Sequence, residues 1–222
     1  MNSLENTPDN ALAGRRRVLA LGGAALLAAA VPGPAARAGT ADAAAPIARL
    51  DEALLAAMRA GESTPFAARY RALAPVIEQV FDLDAVLASS VGLSWATLPE
   101  AHKAALRAAF RRYTVSSFAA NFDSYNGQSF RILPTARPVG NGDVVVPTKL
   151  LSADGSSVAL DYVMRCGPVG WQAVDVLTDG SISRVAVQRS DFRALLNSGG
   201  VPALVAGLDR KAANLSGGVV MG

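Results

Sequence analysis

His102 is the only histidine in the chain and Cys166 the only cysteine. A Ser-His-Asp or Cys-His relay needs an imidazole beside its nucleophile. His102 instead falls among Glu100, Lys103 and Arg107 in the first turns of a predicted helix, where it reads as a solvated surface residue. Cys166 stands beside a Gly-Pro turn, far in sequence from His102, and reads as a small, partly buried residue; a lone cysteine forms no intrachain disulfide. No Cys/His cluster has metal-ligand spacing. There is no P-loop or dinucleotide fingerprint, and Gly140-Asn141-Gly142 is a turn signal. Carboxylates remain. Asp161, Asp175 and Asp179 lie on or at the ends of two predicted strands, where an acid held in a sheet pocket can serve as a general base. The same residues can pair with Arg165, Arg184 or Lys149, or cap the turn at Gly180. No second acid, base or oxyanion donor stands at a fixed spacing from them, so the expected role is structural: no catalytic residue, no metal and no cofactor.

The strands that carry these acids form the centre of the chain. Trp171, Val174, Val176 and Leu177 are strand formers bounded by Gly170 and Gly180, and the preceding strand covers residues 158–165. The five residues from Cys166 to Gly170 are short enough for a hairpin. Two further strands are predicted at 129–133 and 144–151, the second at an edge or bulged because of Pro147. Asp154-Gly155 is the turn into the strand at Val158. Four consecutive strands with short links make a twisted antiparallel meander. By alternation Leu160, Tyr162 and Met164 share one strand face, and Trp171, Ala173 and Asp175 share one on its neighbour.

Helices flank this sheet at both ends of the sequence, which is an α+β layout. Ile47, Leu50, Leu54 and Met58 trace one helix face from Pro46 to about residue 60. Thr64 is placed to cap a second helix with Pro65 at its first position, and Pro75 is expected to kink it. Asp82 caps a short helix that ends at Gly92. Thr97 and Glu100 have capping-box spacing at the head of the longest helix, residues 98–122. Its apolar residues form two adjoining stripes, one of Leu106, Phe110 and Tyr113 and one of Val115, Phe118 and Phe122. A face that wide implies contact on two sides and makes this the central helix. Ser190 is placed to cap a later helix that stops at Gly199 and Gly200, and Pro202 opens the last one, to about residue 215.

Residues 1–38 read as an address. A polar stretch ending in Arg15, Arg16 and Arg17 precedes a short apolar run and an Ala36-Arg37-Ala38 cleavage signal, in a form similar to a twin-arginine export signal. The run is too short for a membrane span. These 38 residues hold four of the 21 basic and two of the 18 acidic residues. The remainder, with 17 basic and 16 acidic residues, is close to neutral and gives no reason to expect a nucleic-acid partner. Residues 39–45 read as a flexible leader, 46–215 as one domain with a substantial core, and 216–222 as a flexible tail.

The order of short motifs carries a resemblance. Phe66-x-x-Arg69-Tyr70, Leu73-Ala74-Pro75-Val76-Ile77, Gly92-x-x-Trp95-x-x-Leu98, Phe110-x-x-Tyr113, Gly170-Trp171-Gln172-Ala173-Val174-Asp175-Val176 and Arg189-Ser190-Asp191-Phe192 together resemble the periplasmic phospholipid-binding MlaC, or toluene-tolerance, proteins. The segments from Asn121 to Phe130 and from Asp179 to Ser183 are similar to the hopanoid-biosynthesis-associated HpnM branch. That resemblance implies a monomeric periplasmic carrier with an apolar cavity between sheet and helices. Its cargo would be a phospholipid or hopanoid, exchanged with inner-membrane and outer-membrane lipid-transport proteins. A sixteen-carbon chain carried bare through water costs about 12 kcal/mol, so a protein shell must cover it. The residues expected near such a cavity are Tyr113, Phe118, Phe122, Leu160, Tyr162, Met164, Trp171, Ala173 and Asp175. Two other readings stay open: a non-binding adaptor of a membrane lipid-transport assembly, and a small-molecule isomerase or hydrolase on a similar scaffold.

Overall fold

The computed structural model describes residues 34–218. The export signal expected over residues 1–38 therefore lies outside the described residues except for its last five, as do residues 219–222 of the expected tail. Four helices come first: α1 (Pro34–Ala60), α2 (Phe66–Val80), α3 (Leu83–Val91) and α4 (Glu100–Asn121). Strands β1 (Ser129–Ile132), β2 (Arg137–Pro138), β3 (Val144–Val146), β4 (Thr148–Leu151), β5 (Ser157–Gly167), β6 (Gly170–Thr178) and β7 (Ile182–Ser183) follow, and α5 (Arg184–Leu215) closes the order. The α+β class is as expected. Among the described residues no helix is long and apolar enough to cross a membrane.

All strand pairs of the sheet are antiparallel. β3 and β4 both pair with β5, and only Pro147 separates them, so they are the two arms of one bent strand. Proline has no N–H to give a ladder, which breaks the strand there; the Pro147 carbonyl still accepts the Leu133 N–H at 2.8 Å. Each arm carries its own outer partner, β2 on β3 and β1 on β4. The four long strands expected from sequence are thus a meander whose members are bent and subdivided. β5 and β6 form the hairpin across Cys166 to Gly170, with one irregularity. Val163 faces Asp175 while Met164 faces Ala173, so Val174 is an extra residue in β6. A bulge of this kind resets alternation beyond it. Ala173 and Val176 keep the face of Met164 and Tyr162, and Asp175 moves to the face of Val163, in contrast to the simple alternation of Trp171, Ala173 and Asp175.

Several helix ends also differ from expectation. α1 begins upstream of Pro46, through residues 39–45, and Ala43 within that stretch is completely buried. Alanine-rich sequence has the strongest helix propensity, and burial on one face supplies the rest. Thr64 does not cap α2; its hydroxyl donates to Ala60 O at 3.0 Å and closes α1 instead. α2 runs on through Pro75, which sits on its exposed side, without dividing into two segments. Thr97 donates to Ser94 O, and Glu100 pairs with Arg107, so the capping box does not form. Asp82 does cap α3, accepting the Ala85 N–H at 2.9 Å, and Gly92 ends it at φ 82°. α5 begins six residues before Ser190, with the Ser183 hydroxyl accepting the Ala186 N–H at 2.9 Å. Its expected break is present: Gly200 has φ 66°. At the tail, Ser216 is buried.

α4 is central, as its two stripes predict. Val115 and Ala119 join a core made with α1, α2 and the inner sheet face, which includes Val146, Tyr162, Met164 and Ala173. Leu106 and Phe110 join a second core with α3 and α5, where Phe110 meets Phe192 edge-on at 6.2 Å. Arg69 is buried where α1, α2 and α4 meet. Its Nε donates to Ala119 O at 3.3 Å, and its Nη1 donates to Gly61 O and Thr64 O. At the open edge of β6, Phe81 forms a parallel bridge with Ala173, and the Asp82 N–H donates to Ala173 O at 3.0 Å. These contacts hold the α2–α3 junction against the sheet.

Candidate functional site

A cavity of about 360 Å³ lies where the two cores approach each other. The side of α4 with Phe110, Tyr113, Phe118 and Phe122 forms one wall, and Leu160, Tyr162 and Val176 of the β5–β6 hairpin form the opposite one. Phe81, Leu83 and Val86 close it from the α2–α3 junction, and Val185 from the start of α5. Aromatic rings run along its inner side. Phe81 lies 5.6 Å from Phe118 and 6.2 Å from Tyr162, while Phe118 stacks on Phe122 at 6.0 Å. Phe81, Tyr162 and Val185 are buried, whereas Asn121 and Arg184 are exposed, so the apolar end is deep and a polar border faces solvent.

That border has few groups, and most are neutral. Thr114, Ser117 and Asn121 follow one another on α4 at three- and four-residue steps. The Asn121 amide donates to Ser117 Oγ at 3.2 Å, and Thr114 Oγ1 has no hydrogen-bond partner. Thr178, Arg184 and Gln188 border the other side.

Of the residues expected near a cavity, Tyr113, Phe118, Phe122, Leu160, Tyr162 and Asp175 line this one. Met164, Trp171 and Ala173 do not. Met164 and Ala173 are completely buried in the core beneath α1 and α2, and Trp171 packs against the same core. They lie elsewhere because equal face does not mean equal depth: the α2–α3 junction covers this end of the hairpin through the Phe81 bridge. Sequence reasoning missed Phe81, Val176, Arg184 and Gln188. The first could have been found as the apolar residue between a helix and the Asp82 cap. The second follows only once the bulge at Val174 is known.

The cavity holds no catalytic relay. The Asp175 carboxylate accepts the Val176 N–H at 2.8 Å, the Val185 N–H at 3.0 Å and the Ser183 hydroxyl, so it caps the start of α5. Asp161 and Asp179 are not part of the lining. Arg165 pairs with Asp143 through a two-pronged contact at 2.9 and 2.7 Å, and with none of the three aspartates. His102 is exposed on α4. Cys166 is also exposed, in contrast to the partial burial expected, because it sits at the end of the β5–β6 hairpin opposite Trp171. Among the described residues no group of three or more His, Cys, Asp or Glu could hold a metal ion.

Residues 48–210 match the family described as MlaC protein, which takes in the whole sheet, the central helix and the whole cavity lining. The chain belongs to the MlaC family. Among solved structures, a phospholipid-binding protein from Ralstonia solanacearum, determined in complex with a phospholipid, shares the fold with a TM-score of 0.68. The two are 21% identical, and the match covers 79% of this chain and 99% of that one. The MlaC membership agrees with the sequence resemblance in the arrangement of helices around an antiparallel sheet.

Proposed function

We propose that this MlaC-family protein is a periplasmic lipid carrier that holds the acyl part of one lipid in the cavity between α4 and the β5–β6 hairpin. The observation that carries the reading is the aromatic cavity itself, deep at its apolar end and bordered by polar groups, with its one carboxylate engaged in capping a helix. Such a hole is what an acyl chain needs, since each CH₂ returned to water costs about 0.8 kcal/mol. The phospholipid bound to the Ralstonia solanacearum protein on the same fold supports a phospholipid as cargo; the similarity of the segment from Asn121 to Phe130 to the HpnM branch supports a hopanoid as the other candidate. On this reading the protein binds and releases without changing its cargo. It works as a monomer after export and cleavage near Ala38, and exchanges lipid with transport proteins of the inner and outer membranes.

Mass spectrometry of lipid extracted from protein purified from the periplasm tests the reading. About one lipid per chain is expected, with the protein's intact mass starting near Gly39. Protein that is lipid-free as purified, and stays so after incubation with phospholipid vesicles and with hopanoid, would refute the carrier role.

A further inference from the structure

Arg184 is the one cation among the residues that line the cavity. It is exposed at the polar border and forms no hydrogen bond or ion pair within the described residues. Its position is also unfavourable for the fold. Arg184 is the first residue of α5, whose first turn contains no acid, and a cation there opposes the helix dipole. Asp175 is the one carboxylate among the residues that line the same cavity. Its oxygens are occupied by the Val176 and Val185 N–H groups and the Ser183 hydroxyl, and no ion pair joins it to Arg184. The half-buried Arg107, Arg111 and Arg112 and the exposed Arg165 each pair with an acid; exposed arginines such as Arg49, Arg71 and Arg193 have no ion pair among the described residues either, so what sets Arg184 apart is its place on the cavity border.

We infer that Arg184 binds the phosphate of the cargo's head group and so makes this cavity selective for anionic phospholipids over uncharged lipids, hopanoids included. The inference rests on the carrier reading given above. A guanidinium is suited to the task because its donors form a planar fork that meets two phosphate oxygens at once and stays charged at any physiological pH. Gln188 is four residues further along α5 and borders the same cavity, so its amide is available to a third oxygen or to the glycerol. Thr178 and the Ser117–Asn121 pair face them with neutral hydrogen-bonding groups. The acyl part then points toward Phe118 and Tyr162, and the charged part stays in water's reach. A neutral polyol would use the neutral groups and leave Arg184 unpaired.

Delipidated full-length mature protein, loaded from mixed vesicles of dioleoylphosphatidylglycerol and dioleoylglycerol, gives the test, with both occupancies read by native mass spectrometry. Wild type should prefer the phospholipid. Arg184→Gln should lower the ratio of phospholipid to diacylglycerol about tenfold, the worth of one charge-assisted hydrogen bond, with diacylglycerol still bound and the urea midpoint equal to or slightly above that of wild type, since the cation at the helix start is gone. Arg184→Lys should restore part of the ratio. Inorganic phosphate in millimolar excess should not displace the phospholipid; displacement would show a free-anion site instead and overturn the assignment. An unchanged ratio in Arg184→Gln, with both lipids bound, would also overturn it while leaving the carrier reading intact. If wild type binds neither lipid, the carrier reading fails and this inference with it.

Discussion

The Asp175 carboxylate accepts the Val185 N–H at 3.0 Å and in doing so ties the bulge of β6 to the first turn of α5. Three donors meet this one group and hold it against the backbone at the start of α5. Asp175→Ala should therefore cost about 1–2 kcal/mol, as the loss of a helix cap does, and Asp175→Asn less, since its carbonyl can still accept one N–H. Urea midpoints measure the loss, and mass spectra of bound lipid should show the same species in all three proteins. A product present in wild type and missing in Asp175→Asn would make the residue catalytic.

Ser117 and Ala173 separate cavity from core. Ser117 is half-buried on the cavity border and contacts Asn121 through its hydroxyl; Ala173 is completely buried beside Phe81. Ser117→Phe should displace lipid and shift stability by no more than about 0.5 kcal/mol. Ala173→Phe should overpack the core and cost about 1–3 kcal/mol or more. Lipid per protein and urea midpoint, measured on both variants, would argue against an open cavity if Ser117→Phe were the less stable of the two.

What could be seen in the sequence follows from how local each cause is. The Asp82 cap, the Gly200 break and the two-sided α4 depend on a few neighbouring residues, and each is present as expected. Thr64, Thr97 and Ser190 had good cap spacing, but hydroxyls compete among several nearby carbonyls and N–H groups. Thr64 and Thr97 took carbonyls of the preceding turn, and Ser183 was closer to the strand end. The site was legible where one face of one element decides it, as for Tyr113, Phe118 and Phe122 on α4 or Leu160 and Tyr162 on β5. It was not legible across the bulge at Val174, because an extra residue in a strand is a property of the pair and not of β6 alone.

Arg69 shows how one motif residue can be structural. It is buried, and it donates to carbonyls at the end of α1, in the α1–α2 turn and near the end of α4. Arg69→Met would leave Gly61, Thr64 and Ala119 without that donor, and should cost about 3 kcal/mol or more. Arg69→Lys should recover little, because a single ammonium does not reproduce the fork. Denaturant titration of the three proteins is decisive: a Lys variant as stable as wild type would mean that charge, and not donor geometry, is what the site requires.

Asp51 gives the chain a pH-dependent stability. It is buried on α1 and its Oδ1 has no hydrogen-bond partner. Desolvation pushes its pKa up from 3.8 to about 7, and its charge, after burial itself, helps raise the Tyr162 phenol. The sign follows from proton counting. Below about pH 4 both folded and unfolded chains hold the Asp51 proton, and the group has no effect. Between about pH 4 and pH 7 the unfolded chain releases it first, so stability falls as pH rises; above pH 7 both are ionised and the loss is complete, on the order of 4 kcal/mol at 1.36 kcal/mol per unit. Asp51→Asn, which cannot ionise, should therefore be more stable than wild type at pH 8, and the advantage should shrink steadily toward pH 4. Urea midpoints of both proteins at pH 4, 6 and 8 test this. A difference between them that is the same at all three values would mean that Asp51 ionises in the folded chain as readily as in the unfolded one, and that another group sets the pH dependence.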